Sequence, residues 1–215
     1  MERTVECKKI SLFQNLSEEF IDKYKDDLDW SFVLQKSQLS SDFLEKHLEY
    51  IDWNQIHKQK HLSEHFIEKY CIYNSNNISA AIISALISFK LSETFIVKLL
   101  KDLDDSKFNL AINLIIKYQK VSEEFILKYL QFIDIEELVT HQKLSETLLN
   151  EIWDKIVEKE CVEDVLEHQK LSERFIMKRR IDINYYQWSL VLECQEVSEA
   201  FIEKLLEMKY ITLRE

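Results

Sequence analysis

Residues 16–30 read LSEEFIDKYKDDLDW, and the phrase that opens this stretch, Leu-Ser-Glu-x-Phe-Ile, recurs in eight related copies along the 215-residue chain. The copies begin at Leu16, Leu39, Leu62, Leu91, Val121, Leu144, Leu171 and Val197. The serines that follow these positions lie 23 to 30 residues apart. Self-similarity at this period is typical of a solenoid, in which each repeat buries its apolar face against the next.

Each phrase has the composition of a helix start. Serine suits the N-cap position, and the glutamate after it meets the positive end of the helix dipole in the first turn. Apolar residues then recur three, four and seven or eight positions after the serine, as in Phe20, Ile21 and Tyr24. This spacing is one apolar stripe of an α-helix. A first-type helix is therefore predicted after every Leu-Ser pair.

A second-type helix is predicted before every Leu-Ser pair. The residue nine positions before the pair is apolar in all copies: Cys7, Trp30, Trp53, Ile82, Ile112, Ile135, Val162 and Trp188. The position six before the pair is apolar throughout as well, which gives helical spacing. We therefore expect the side chains of this slot, Trp53 among them, to be buried.

The chain contains neither glycine nor proline. The usual turn formers of β-hairpins and βα loops are thus missing. The predicted fold is all-α: a right-handed α-solenoid of about eight two-helix repeats without β-sheet. We predict a single repeat domain over residues 1–215, with capping helices at residues 1–16 and 198–215 and the repeats in residues 17–197. Extra residues, as at 73–77 and 180–186, fall between the two helices of a repeat.

Composition excludes several classes of function. The formal net charge of −11 disfavours direct binding of nucleic acid or of an anionic membrane. The absence of glycine excludes phosphate-cradling loops and dinucleotide fingerprints. The four cysteines are far apart and are expected to be free thiols in a reducing compartment. No basic and apolar leader is visible, so a cytoplasmic location is expected.

Most of the residues that suggest chemistry follow the repeat. Five glutamines share the slot two before the leucine, either as an amide ladder that binds a peptide or, the favoured interpretation, as structural amides at the turns: Gln14, Gln119, Gln142, Gln169 and Gln195. His57, His61 and His65 are four residues apart, but Ser63 is predicted to begin a new helix between the last two. No metal, no cofactor and no enzymatic activity are therefore expected.

Two local features depart from the pattern. Residues 78–89 form an uncharged helix, which is either buried because the array curls over it, the favoured interpretation, or docks a partner or a second copy of the chain. The candidate partner-binding residues are Ile78, Ile82, Ile83, Leu86, Phe89, Tyr185 and Tyr186. The run Lys178-Arg179-Arg180 either binds a phosphate or, as we favour, offsets the acids of residues 151–167.

The phrases in residues 16–30, 39–53 and 133–146 (LSE-x-FI, then IDW or IDI, then QKLSE) resemble the short degenerate helical repeats of giant-virus and phage-like proteins. The resemblance covers nearly the whole chain and implies an interaction module. It also implies a role in blocking a host defence protein.

The expected function is a non-enzymatic scaffold that binds another protein. The partner would be a basic, nucleic-acid-binding host protein, or a second copy in a homodimer through the uncharged central helix. The alternative is an acidic mimic that occupies the nucleic-acid groove of a host enzyme. Eight repeats would span about 80 Å at about 10 Å per helix pair, where duplex DNA presents nearly 50 charges at about one per 1.7 Å. The net charge of −11 makes the mimic the weaker alternative.

Overall fold

The computed structural model describes residues 7–212, with side chains from residue 10 onward. All regular secondary structure in this range is helical, which confirms the prediction of an all-α fold without β-sheet there. The chain clusters into two compact units, one ending at Phe108 and one beginning at Asn109. The single repeat domain over residues 1–215 stays a prediction.

The first unit alternates first-type and second-type helices with one interruption. Its elements are α1 (Cys7–Phe13), α2 (Glu18–Lys23), α3 (Trp30–Lys36), α4 (Ser41–Lys46), the 3-10 turns Leu48–Tyr50 and Ile56–Lys58, α5 (Glu64–Phe66) with its π-helical continuation Ile67–Ile72, α6 (Ile78–Ser88) and α7 (Glu93–Leu100). Helix α8 (Asp105–Tyr118) begins here and continues into the second unit. The interruption is the 3-10 turn Ile56–Lys58, which stands where a second-type helix is predicted.

The second unit follows the predicted alternation more regularly. Its elements are α9 (Glu123–Tyr129), the 3-10 turn Leu130–Phe132, α10 (Ile135–His141), α11 (Glu146–Glu158), α12 (Val162–His168), α13 (Glu173–Lys178), α14 (Gln187–Cys194) and α15 (Glu199–Glu207). The second-type helices α10, α12 and α14 pack in sequence, with α12 in contact with both others. This arrangement buries one apolar stripe after another.

The repeated serines are N-caps, as predicted. Each side-chain oxygen accepts a hydrogen bond from the backbone N–H three residues later at 3.1 to 3.3 Å. The residues concerned are Ser17, Ser40, Ser63, Ser92, Ser122, Ser145, Ser172 and Ser198. A cap at every first-type helix satisfies a donor that the helix itself leaves free.

The repeated glutamines join each repeat to the one before it. Gln195 donates through Nε2 to the carbonyl oxygens of Leu166 (2.6 Å) and Gln169 (2.8 Å), and its Oε1 accepts from the N–H of Leu171 (2.9 Å). We call this three-bond arrangement the glutamine clamp. Because it satisfies backbone groups at a helix C-terminus that has no glycine cap, the structural interpretation of these amides is confirmed where the bonds are described. Clamps are formed by Gln59, Gln169 and Gln195, and Gln142 makes the same two donor bonds.

The glutamate of the repeated phrase makes a second contact between repeats. Its carboxylate accepts a hydrogen bond from the backbone N–H of the serine that begins the next phrase. The pairs are Glu18–Ser40, Glu64–Ser92, Glu123–Ser145, Glu146–Ser172 and Glu173–Ser198, at 2.5 to 2.6 Å. The backbone N–H and the hydroxyl of Ser198 lower the pKa of Glu173. We call this contact the glutamate bridge.

The apolar slot nine positions before each Leu-Ser pair forms much of the core. Its members are buried at Trp30, Ile82, Ile112, Ile135, Val162 and Trp188. Among the described side chains of this slot Trp53 is the exception, with 38 % of its surface exposed, so the expectation that it is buried is wrong, and the side chain of Cys7 lies outside the described ones. Elsewhere the slot precedes the clamp position by seven residues, or two helical turns, but Trp53 precedes Gln59 by six. The two residues therefore cannot both keep their places on a regular helix.

Candidate binding groove

A groove of about 600 Å³ opens in the first unit beside the interrupted repeat. One wall is the segment from Trp53 to His57, and the other is the face of α6 that carries Ala81, Ser84 and Ser88. The floor includes Tyr70 and other residues of the π-helical segment and the loop after it. We call this the repeat-3 groove.

The interruption explains why the repeat-3 groove exists. In the second unit, consecutive second-type helices pack against each other. In the first unit, α6 packs instead on the π-helical segment Ile67–Ile72, and the preceding second-type element is reduced to the single turn Ile56–Lys58. The turn is too short to cover α6. Small side chains on the facing side of α6, such as Ala81 and Ala85, leave the space open.

The lining of the repeat-3 groove carries no aspartate, glutamate, lysine or arginine, although 31 % of the chain is charged. Cys71, which also lines the groove, has its pKa raised to about 12 by burial. Its thiol therefore stays neutral at physiological pH. Burying an unpaired charge in such a place is unfavourable, so the groove suits an uncharged ligand.

Most hydrogen-bonding side chains around the groove lack protein partners within the described residues, although Ser75 bonds the backbone of Asn77 and Tyr70 bonds Lys69. In the part of the chain that the structure describes, no side-chain hydrogen bond is made by Trp53, Asn54, His57, Asn74, Ser84 or Ser88. By contrast, the eight repeated serines form caps, and the repeated glutamines and glutamates described above form clamps and bridges. The groove thus concentrates free donors and acceptors that a bound ligand can satisfy.

Trp53 and Tyr70, which line the groove, belong to an aromatic cluster with the buried Phe66. The ring of Trp53 lies 6.4 Å from that of Tyr70 and 6.3 Å from that of Phe66, at small interplanar angles. Phe66 and Tyr70 are 5.0 Å apart. Aromatic side chains with few rotatable bonds offer contact area at a low entropic cost, which is why they are enriched in binding surfaces.

The predicted partner-binding residues fall into two groups. Ile82 and Leu86 are fully buried in the core, whereas Phe89 is 7 % exposed and also lines the repeat-3 groove. Ile78 is exposed and Ile83 is half-buried on the same helix. A partner contact at these two stays a prediction.

Tyr185 and Tyr186 lie in the second unit and are 64 % and 83 % exposed. Their rings are 5.7 Å apart, edge to face, and they border a shallow depression with Trp188 and Tyr210. They take no part in the repeat-3 groove, and their role as partner contacts stays a prediction.

Histidines and cysteines do not form a recognisable reactive group. Among residues 7–212, no three His, Cys, Asp or Glu side chains are grouped to hold a metal ion. His57 and Cys71 both line the groove, but no hydrogen bond joins them in the described chain, and a reactive thiol requires a lowered pKa, not a raised one. None of the helices in that range is both long and apolar enough to span a bilayer.

The sequence pattern misses two features of this region. Gln59 stands three positions before Leu62, whereas the repeated glutamines stand two positions before the leucine. The repeat pattern therefore does not identify Gln59 as a clamp residue. The groove leaves signals in the sequence that do not by themselves reveal it: the six-residue spacing between Trp53 and Gln59, the extra residues 73–77 and the uncharged stretch 78–89.

No protein-family model, no curated protein and no solved structure matches this chain.

Proposed function

We propose that this protein is a non-enzymatic helical-repeat scaffold that binds another protein, and that the repeat-3 groove receives an uncharged segment of the partner. One contrast carries this proposal. Repeated glutamines and glutamates such as Gln195 and Glu173 are bonded to the neighbouring repeat, whereas Asn54, His57, Asn74, Ser84 and Ser88 of the groove make no side-chain hydrogen bond within residues 7–212. A site of function is expected where local order departs from the rule that builds the rest of the fold.

The proposal includes a right-handed solenoid of about eight repeats. It is supported by the recurrence of the glutamine clamp and the glutamate bridge inside each unit. Both contacts link a repeat only to its neighbour, which is the defining property of solenoid architectures.

The volume and the lining of the groove indicate which kind of partner segment it can bind. A volume of about 600 Å³ falls within the range of about 300–1,000 Å³ that holds one ligand of moderate size, so it admits a few residues of a partner. The partner segment should offer an apolar side chain to the Trp53 wall and backbone or amide groups to Asn54, Ser84 and Ser88.

The remainder of the partner would be basic. A net charge of −11 accelerates association with a positive surface through electrostatic steering. Together with the resemblance to viral repeats, this supports a role in blocking a basic, nucleic-acid-binding host protein in the cytoplasm.

The acidic mimic is the less favoured alternative. Five glutamates form bridges to serine N–H groups, and four aspartates, Asp29, Asp52, Asp104 and Asp134, accept from backbone N–H groups at turns and helix starts. Nine of the 39 acidic side chains thus direct their charge toward their own backbone. A mimic of duplex DNA needs its charges on one outward ridge.

The full chain is first used as bait to capture a partner. The affinity of the purified partner for the chain is then measured by calorimetry. Ser84→Arg introduces bulk and charge at an exposed position of the groove, and Gln131→Arg makes the same change of charge at an exposed position of the second unit. We expect Ser84→Arg to weaken a one-to-one complex at least tenfold, while Gln131→Arg changes the affinity less than twofold. Circular dichroism checks that both variants keep the helical fold.

Three outcomes would contradict the proposal. Equal affinities of the two variants would exclude the groove as the contact. Loss of all binding at moderate salt, with no effect of Ser84→Arg, would favour the mimic. Inhibition of the partner by substoichiometric amounts of the protein would indicate catalysis.

A further inference from the structure

A cluster of cations in the second unit forms no ion pairs with the described carboxylates. Among residues 7–212, no ion pair with a carboxylate is formed by Arg174, Lys178, Arg179 or Arg180. The expectation that the Lys178-Arg179-Arg180 run offsets the acids of residues 151–167 is therefore not met by any direct pairing. Unpaired cations are unexpected in a chain with eleven excess negative charges.

Two of these cations are held together by one amide. The Oδ1 of Asn150 accepts from Lys178 Nζ and from Arg179 Nη2, each at 2.7 Å. The Arg179 guanidinium is also fixed over the ring of Trp153, 4.8 Å from its centroid, and its Nε is buried without a hydrogen-bond partner. Two like charges that share an acceptor repel each other, and a bound anion would relieve this repulsion.

A small depression of about 240 Å³ adjoins the pair. It is lined by Arg174 and Lys178, which lie one turn apart on α13, and by Thr147 and Asn150 of α11. Glu146 also lines it, but both of its carboxylate oxygens accept hydrogen bonds from Ser172, through the backbone N–H and the hydroxyl. The lining thus carries two cations and one carboxylate that is already engaged, and Arg179 lies beside it on the same Asn150 amide.

Remote acids do not cancel this local charge. At physiological ionic strength the Debye length is about 8 Å, so exposed carboxylates farther away are largely screened. The volume of the depression limits the size of the ligand. It is smaller than the roughly 300 Å³ at which sites for drug-sized ligands begin, which leaves room for one anionic group.

We propose that this depression binds a phosphate group, held by Arg174 and Lys178 with Thr147 as a hydroxyl donor, while Arg179 adds a positive charge beside it through Asn150, the acceptor that it shares with Lys178. A phosphate carries up to two charges and several acceptor oxygens, and so matches the two lining cations, with a third beside them, better than a carboxylate does. The group is either free phosphate or a phosphate monoester displayed by another molecule. This site lies in the second unit and does not depend on the function proposed for the repeat-3 groove.

The experiment titrates the full chain with sodium phosphate and with phosphoserine at constant ionic strength, and follows the indole N–H signals by NMR. Trp153 stacks on Arg179, so we expect its signal to shift with a saturable curve. The signals of Trp30, Trp53 and Trp188 serve as internal references and should not move. Tighter binding of phosphoserine would identify a displayed phosphate as the natural ligand, and tighter binding of inorganic phosphate would identify the free ion.

Matched variants separate a site from a general charge effect. Arg174→Gln and Lys178→Gln should each weaken phosphate binding by about tenfold, the value of one charge-assisted hydrogen bond. Lys128→Gln removes one charge from the same repeat position on α9, which has Glu124 where α13 has Arg174. It should leave the midpoint of the phosphate titration unchanged.

The proposal fails if the response does not saturate or is reproduced by sodium chloride. It also fails if acetate gives the same midpoint as phosphate, or if Lys128→Gln weakens binding as much as Lys178→Gln does.

Discussion

Trp188 and Trp53 occupy the same position of two repeats and have opposite surroundings. Trp188 in the second unit is 2 % exposed and its helix α14 has two full turns. Trp53 in the first unit is 38 % exposed and is followed by a single 3-10 turn. The distance to the clamp glutamine differs, seven residues in one repeat and six in the other. We infer that this one residue of spacing is what turns a core position into the wall of a groove.

The comparison also shows which interaction is kept when two conflict. Gln59 forms the complete clamp although Trp53 loses burial. A broken clamp would leave three backbone groups unsatisfied in the interior, at about 1–3 kcal/mol each. Partial exposure of one large side chain costs less than the roughly 1.5–3 kcal/mol of its full burial. The clamp is therefore the stronger constraint on the chain.

The largest expected effect in this comparison is that of Trp188→Ala. Emptying a fully buried aromatic site should lower the free energy of unfolding of the second unit by about 3–5 kcal/mol. Urea unfolding followed by circular dichroism measures the change. A loss below about 1 kcal/mol would mean that Trp188 is not part of a packed core.

The next effect in size is the loss of one clamp. Gln169→Ala removes three buried hydrogen bonds between neighbouring repeats and should destabilise the second unit by about 2–3 kcal/mol. Gln131→Ala, at an exposed position of the same unit, should stay within about 0.5 kcal/mol in the same unfolding experiment. Equal effects would contradict a structural role for the clamp.

Trp53→Ala should have a smaller effect than its counterpart in the second unit. Because Trp53 is already partly exposed, we expect a loss of about 1 kcal/mol, well below the 3–5 kcal/mol expected for a buried tryptophan. The same variant should weaken the complex with the partner by tenfold or more. A large loss of stability would show that the ring is buried in solution.

Restoring the spacing should close the groove. One alanine inserted between Ile56 and His57 separates Trp53 from the clamp glutamine by seven residues, as in the regular repeats. We expect a two-turn helix, a gain of about 1 kcal/mol and weaker quenching of tryptophan fluorescence by acrylamide. An alanine inserted after Lys101, in an exposed turn between α7 and α8 that does not line the groove, should leave the quenching unchanged.

The smallest expected effect is on the stability of the fold at acidic pH. Ser198 lowers the pKa of Glu173 in the folded state, so the Glu173–Ser198 bridge stabilises the fold above the ordinary pKa of glutamate, about 4.3. This contribution is lost as the pH falls through the lowered native value. Thermal unfolding at a series of pH values should show a shallower acid decline for Glu173→Gln than for the unchanged chain. Identical profiles would contradict the bridge.

The helix starts are properties of short stretches of sequence. A serine cap and its N–H donor lie three residues apart, and an apolar stripe repeats every three or four residues, so Phe20, Ile21 and their equivalents could be placed on a helix without any knowledge of the fold. The all-α class follows from these stripes and from the absence of glycine and proline. The groove could not be predicted in the same way, because its walls come from residues 53–57 and 70–89, whose separation in space depends on how α6 packs.

What the sequence by itself determined is thus the local part of the structure: the eight capped helices, the apolar slot and the structural character of the glutamines. Only the tertiary structure decided which partners those residues meet. Each clamp and bridge joins atoms 20 to 30 residues apart, and a glutamine that serves a neighbouring repeat looks in sequence like any other amide. Trp53 and the unpaired cations of α13 show the same limit. Exposure and ion pairing are set by the elements packed around a side chain, and a one-residue change of spacing alters those neighbours while leaving the local pattern intact.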